Sequence, residues 1–252
     1  MPARTAGAAA FATIDWTCVA SELDQEGYAV LPGLLDAHTC AALAQRLREA
    51  RPRADAPSLL QGDPASVNTG GHGTCWPIQR RMAPFDAWHE ALYPRLAPIA
   101  NHWATTRGLG VHFPALFEDF NAHHGTAMAA TWLGAGHYQP LHQSHAGPYA
   151  FPLQLVLLLS EPEVDFEGGD CVMTEQRPRM QSRAMVLPLR QGDAALMAVA
   201  HRPVWGSKGH YRVSSKHAVT PLRRGERVAL EFLFHSQRRG NEPESQLVFD
   251  RA

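Results

Sequence analysis

The chain has 252 residues, 45% of them hydrophobic and 19% charged, with a formal net charge of −1. Such a composition is ordinary for a soluble globular protein that buries a core. A balance so close to neutral excludes any global attraction to nucleic acid or anionic membrane and leaves only local patches. The four cysteines (Cys18, Cys40, Cys75, Cys171) show no Cys-x-x-Cys or zinc-finger spacing, so reduced thiols in a cytoplasmic protein are expected. No segment approaches a membrane-spanning length, and the small-residue N-terminus lacks a sustained apolar stretch.

Residues 1–13 read as a flexible tail, and residues 14–252 as one domain. Over 14–27 the spacing of Trp16, Val19, Ala20 and Leu23 predicts a helix. A short strand over 28–31 follows, stopped by Pro32-Gly33. Asp36 is placed to cap a second helix, in which Cys40, Leu43, Leu47 and Ala50 share a face. Residues 51–73 form a long irregular loop rich in Pro, Gly, Asp, Ser and Asn, the kind of loop that is usually functional or mobile. A third helix is predicted over 83–106, broken where Pro94 and Pro98 fall. A fourth runs over 115–122 and stops at His123-His124-Gly125, where the two rings suit the end of the helix dipole.

After Thr126 the pattern changes to short apolar runs, at 128–133, 153–160, 171–174, 185–189, 194–200, 211–219 and 227–235. Turn signals such as Glu167-Gly168-Gly169-Asp170 and Gln191-Gly192-Asp193 separate them. Helices first and strands afterwards predict an α+β fold: a double-stranded β-helix, that is a cupin-like jelly roll, buttressed by N-terminal helices.

Two histidines and one arginine stand out on the β-type segments. His142 precedes the apolar run at 153–159, His217 lies in a later run, and Arg227 heads the last. Two histidines with an arginine that needs an anionic partner are what a mononuclear iron site requires to hold Fe(II) and a dicarboxylate co-substrate. A bland alternative for Arg227 is a salt bridge to Glu231 or Asp193. The facial triad of such sites also needs a carboxylate, often two residues after the first histidine, and that position is Ser144.

Longer phrases make a resemblance specific. Phe151-Pro152-Leu153-Gln154, Leu159-Ser160-Glu161-Pro162, Pro188-Leu189-Arg190-Gln191-Gly192-Asp193, His201-Arg202-Pro203 and the run at 174–183 resemble the bacterial Fe(II)/2-oxoglutarate-dependent oxygenases. That family is similar to prolyl 4-hydroxylases and is also labelled a nucleic-acid oxygenase family. The likeness runs from about Trp16 to His235. It implies that His142 and His217 are iron ligands, that Arg227 anchors the distal carboxylate of 2-oxoglutarate, and that Tyr138 helps to hold the co-substrate. It also implies decarboxylation of 2-oxoglutarate to succinate, coupled to oxidation of a substrate C–H bond.

The family's Asp ligand falls on Ser144, and three readings of this remain open. The first is an oxygenase with an altered first shell, in which water, a substrate atom, His145, Asp170 or Glu175 takes the vacant place. A second is a halogenase, since similar iron halogenases have a small neutral residue there and bind chloride in the vacated position. The third is a non-catalytic binding protein on the same fold. The substrate is expected to be a small or amino-acid-like molecule. The loop carrying Arg177, Arg179 and Arg183 is the one cue for an anionic partner, and a hairpin turn neutralised by Glu163, Asp165 and Glu175 explains it as well. No basic strip interleaved with aromatics is visible in the sequence, which argues against nucleic acid.

Overall fold

The computed structural model describes residues 11–52, 73–78, 85–143, 150–207 and 209–234. Helix α1 (Trp16–Glu26) starts where Asp15 accepts the Thr17 and Cys18 N–H groups, at 3.0 and 3.2 Å. It ends at Gly27, whose φ of +79° lets its N–H turn back to Leu23 O at 3.0 Å. After strand β1 (Tyr28–Leu31), Asp36 caps α2 (Ala37–Glu49) as predicted, accepting Thr39 N at 2.9 Å. Phe11, in the segment expected to be a tail, is buried edge-on against Trp88 at 5.0 Å.

Helix α3 (Trp88–Thr106) carries Pro94 and Pro98 inside one continuous helix, not a broken one. Both prolines are exposed, and lie four residues apart on the same face. The carbonyls deprived of a donor therefore face water, and the apolar opposite face holds the helix together. Helix α4 (Phe117–His124) takes both histidines into its last turn: His123 Nδ1 lies 2.8 Å from Asp119 O, and His124 stacks on Phe120.

Twelve strands follow or flank these helices among the described residues. The larger sheet runs β1–β9 (Ala194–Ala198)–β5 (Leu153–Leu158)–β12 (Leu222–Leu233)–β3 (Ala127–Gly134)–β2 (Thr74–Pro77), with β6 (Phe166–Gly168) on β12. The smaller runs β10 (His201–Gly206)–β11 (Gly209–Val219)–β7 (Cys171–Gln176)–β8 (Arg183–Leu187), with β4 (Gln139–His142) also on β11. All paired strands are antiparallel. This is the expected jelly roll. Strands β2, β4, β6 and β10 lay outside the predicted runs: β2, β4 and β6 have only three or four residues, and β2, β4 and β10 each contain a proline.

Strand β12 shows how one strand serves two layers. Successive side chains alternate in direction. Phe232 and the following Phe234 turn to the helices, Phe232 stacking on Trp88 at 5.3 Å and Phe234 lying 6.4 Å from Tyr93. Arg227, Ala229, Glu231 and Leu233 alternate with this outer row and face the space between the sheets. Gln154, opposite Leu233 in register, shares that inner face.

One buried ion pair ties the helices to the smaller sheet. Arg202 on β10 meets Glu175 on β7 with both side chains inaccessible, and its other nitrogens donate to the carbonyls of Asp24 and Gln25. The C-terminal carbonyls of α1 thus find their donors on one arginine. Gly27 permits this approach, since a Cβ there would sit 2.8 Å from Arg202 Nε.

Candidate metal centre

Antiparallel pairing of β4 with β11 sets His142 directly opposite His217, with a register shift between His217 and Val219. The ring centroids are 4.2 Å apart and the planes are inclined at 54°. His142 Nδ1 lies 2.8 Å from Pro140 O. A proton shared with that carbonyl must sit on Nδ1, which leaves the Nε2 lone pair for a ligand. His217 is buried, and Gln154 reaches across from the larger sheet to put its Nε2 3.0 Å from His217 Nε2. Burial, with the neighbouring His142 as the lesser cause, holds the His217 pKa well below the ordinary imidazole value. It is therefore neutral near pH 7, the form that binds a metal.

Two facing imidazoles, one with its tautomer fixed by a backbone carbonyl, fit a divalent iron ion. Gln143, next in the chain, anchors this end of β4: its amide lies 2.8 Å from Ser215 O, 3.1 Å from Ser214 Oγ and 3.2 Å from Ala200 O. Ser144 and His145 lie outside the described residues. Of the other acidic groups weighed for the missing carboxylate, Glu175 is committed to Arg202, and Asp170 is exposed beside Thr220. Among the described residues no three His, Cys, Asp or Glu side chains stand together as a metal-holding group.

Arg227 is 2% exposed, and its Nε has no hydrogen-bond partner. Neither salt bridge considered from the sequence forms. Asp193 accepts the backbone N–H groups of Gly33 and Arg190, at 2.8 and 2.9 Å, while Glu231 takes Thr131 Oγ1 at 3.0 Å. Burial lowers the guanidinium pKa, with Cys171, Glu231 and Asp170 opposing it weakly. A cation left so poorly neutralised is costly, by several kcal/mol on the usual scale, unless an anion joins it. Its planar fork suits a carboxylate. Tyr138 is half-buried, one residue ahead of β4.

Sequence reading gave no place around the histidines to four inner-face residues, Thr131, Gln139, Gln154 and Glu231, although it weighed Glu231 as a partner for Arg227. Gln139 Nε2 lies 3.5 Å from His142 Nε2 and 3.5 Å from Glu231 Oε1. The period-two spacing Arg227-x-Ala229-x-Glu231 was a usable signal, because it puts the glutamate on the arginine's face.

This jelly roll is the fold of prolyl-4-hydroxylase-like Fe(II)/2-oxoglutarate oxygenases. Within that class the chain belongs to the Oxygenase-NA family, described as an oxygenase catalysing oxidative methylation of damaged DNA, which matches residues 79–237. Two uncharacterized proteins from strains of Mycobacterium tuberculosis are each 38% identical over 152 residues, covering 58% of this chain and 65% of theirs. The matched region therefore spans a little under two thirds of those relatives.

Three solved structures share the fold. A prolyl-4-hydroxylase of Pseudomonas putida superposes with a TM-score of 0.54 at 15% identity, over 88% of this chain and 99% of its own. One from Phytophthora capsici gives 0.53 at 15%, over 91% of this chain and 64% of its own. A prolyl hydroxylase of Trichoplax adhaerens, solved with a hypoxia inducible factor fragment, gives 0.51 at 12%, over 87% and 89%.

Proposed function

We propose that this chain oxidises a substrate C–H bond as an Fe(II)/2-oxoglutarate-dependent oxygenase, with His142 and His217 holding the iron and Arg227 the distal carboxylate of 2-oxoglutarate. The observation that carries this reading is Arg227, a buried guanidinium with an unpartnered Nε on the same inner face from which Gln154 touches His217. When bound, iron and 2-oxoglutarate supply the oxidising chemistry, consuming oxygen and releasing succinate and carbon dioxide. The chain's own part is to orient. Pro140 O fixes the tautomer of His142, and Gln154 holds the His217 ring in the unliganded protein. The substrate presents one small group to the space between the sheets, as a small or amino-acid-like molecule would.

An anaerobic titration of the apo-protein with Fe(II) and 2-oxoglutarate, followed by visible absorption, tests this reading. A metal-to-ligand charge-transfer band is expected, and it should vanish in His217→Ala. No band under any condition would leave a binding protein on an oxygenase fold. A chloride-dependent shift of the band would move the reaction to halogenation, with Ser144 leaving the halide its place.

One surface favours a second reading of the substrate, a base in nucleic acid. Pairing of β10 with β11 puts Trp205 opposite His210 and Pro203 opposite Arg212. Trp205 is 72% exposed, and the His210 ring meets it edge-on at 4.3 Å. Beside them a cavity of about 250 Å³ is lined by Arg107, His210, Tyr211 and Arg212 among others, with no acidic side chain in its wall. The pairing thus assembles the aromatic and basic face that was absent from the linear sequence, and such faces take single strands by stacking and phosphate contact. The family's description, which names damaged DNA, points the same way. Single-stranded oligonucleotides should bind the wild type, with a salt-dependent loss in Arg107→Gln/Arg212→Gln. Equal binding by that variant would remove this reading.

A further inference from the structure

We infer that the cavity between the end of α3 and the paired strands β10 and β11 is a second ligand site, one that holds a phosphate monoester between Arg107 and Arg212. The inference stands on this cavity alone. It goes beyond the reading of the neighbouring surface as a face for single strands, because the phosphate is held whether or not a strand carries it.

Two segments far apart in sequence meet here. Arg107 directly follows α3, and Arg212 lies on β11 opposite Pro203 of β10. An arginine at a helix end commonly serves the last carbonyls. Those carbonyls are already taken. Trp103 O, Thr105 O and Ala104 O accept the N–H groups of Arg107, Gly108 and Leu109 at 3.0, 3.0 and 3.1 Å, a turn that the φ of +66° at Gly108 permits. The side chain of Arg107 is therefore left for the cavity. Among the described residues neither guanidinium forms an ion pair, and no acidic side chain lines the cavity. Partial burial and then the nearby Arg212 lower the Arg107 pKa, so the two cations are close enough to repel. An anion between them removes that repulsion.

The lining also sets the kind of anion. Two guanidinium groups call for two negative charges; a carboxylate brings one, and a phosphate monoester brings close to two at pH 7. Thr106 and Tyr211 add hydroxyls to the wall, and arginine forks with hydroxyl donors are the usual partners of phosphate oxygens. At about 250 Å³ the cavity is smaller than the roughly 300–1,000 Å³ that enclose a whole drug-sized ligand, so it takes the charged end of a molecule. The metal centre is elsewhere. Arg212 precedes His217 by five residues, about 17 Å along a strand. The exposed row of His210, Arg212 and Lys216 also faces away from the buried row of Val213, Ser215 and His217.

Calorimetric titration of the metal-free protein with inorganic phosphate, at an ionic strength held constant with chloride, tests the inference. The wild type should bind one phosphate per chain. Arg107→Gln and Arg212→Gln should each weaken binding by about ten-fold or more, the loss of one charge-assisted hydrogen bond. Arg227→Met should bind as the wild type does, which separates this cavity from the other buried arginine. No binding by the wild type, wild-type affinity in both glutamine variants, or loss of binding in Arg227→Met alone would overturn the inference. Should Arg107→Gln not fold, the variant at the exposed Arg212 decides. A 5′-phosphorylated trinucleotide then identifies the source. Displacement of inorganic phosphate by it supports a nucleotide phosphate, and failure to displace supports a small phosphate ester at the same site, against the nucleic-acid reading. Equal displacement by the trinucleotide without its 5′-phosphate would overturn the choice of a monoester.

Discussion

Arg227 and Glu231 leave the same face of β12 four residues apart, both buried, and make no ion pair with each other. Two opposite charges on one short stretch of strand are held apart, each addressed to something else. For Arg227 the partner proposed is a carboxylate of 2-oxoglutarate. Arg227→Met should weaken 2-oxoglutarate binding by about 10- to 100-fold, the value of a charge-assisted hydrogen bond at 1.5–3 kcal/mol. The same change removes a buried cation that no acidic side chain among the described residues pairs with, so the unliganded protein should become more stable by about 1 kcal/mol or more. Calorimetric binding and urea midpoints measure the two effects, and a variant that lost stability without losing affinity would contradict the assignment.

Gln154 acts on the metal through His217. Its amide meets Nε2 at 3.0 Å from the opposite sheet, and its own Oε1 has no partner. Replacement by leucine keeps the bulk and removes the contact. The amide N–H occupies the Nε2 lone pair that a metal would use, so metal affinity should hold or rise in this variant, while 2-oxoglutarate binding to Arg227 changes less. A fall in Co(II) affinity in Gln154→Leu would show instead that the amide orients the ring for the metal.

Much of this arrangement was legible in the chain, and the gaps have physical causes. The helix start at Asp36 was readable because capping is local: one side chain and the Thr39 N–H three residues on. The jelly roll was readable because its long strands are separated by glycine turns. What stayed hidden was created by pairing. Glu231 reads as one polar residue in an apolar run until β4 brings Gln139 beside it, 92 residues away in sequence. Arg202 looked like part of a family phrase, and its work is to hold Glu175 and the end of α1. One of two readings had the basic loop neutralised by Glu163, Asp165 and Glu175, yet Arg183 pairs with Glu26 on α1. Long-range charge pairing is set by topology, which spacing along the chain does not report.

The Arg202–Glu175 pair should show the asymmetry of buried ion pairs. Both side chains are inaccessible. Glu175→Gln strands the guanidinium against the carbonyls of α1, and should cost about 3–5 kcal/mol. Arg202→Met/Glu175→Leu removes both charges and should recover most of that loss. Denaturant unfolding of the two variants measures it, and a double variant as unstable as the single one would mean that the pair's geometry, beyond its charge balance, holds the sheet to the helix.

His89 on α3 makes stability depend on pH away from the metal centre. Its ring lies against Phe232 and Phe234, its Nε2 is 3.2 Å from Ala127 O, and burial lowers its pKa to about 4 against two opposing backbone hydrogen bonds. Above the unfolded value of about 6.5 both states are neutral and nothing is lost. Between about 6.5 and about 4 the unfolded chain takes up a proton that the folded chain refuses, so stability falls as pH falls. The slope approaches about 1 kcal/mol per pH unit from this one group, and it flattens below about 4, where the folded state is protonated too. His217, also lowered by burial, adds a slope of the same sign. In His89→Leu the loss between pH 6.5 and 4.5 should therefore shrink without disappearing, measured as urea midpoints at fixed ionic strength. A variant whose profile runs parallel to that of the wild type would show that His89 titrates freely in the folded protein.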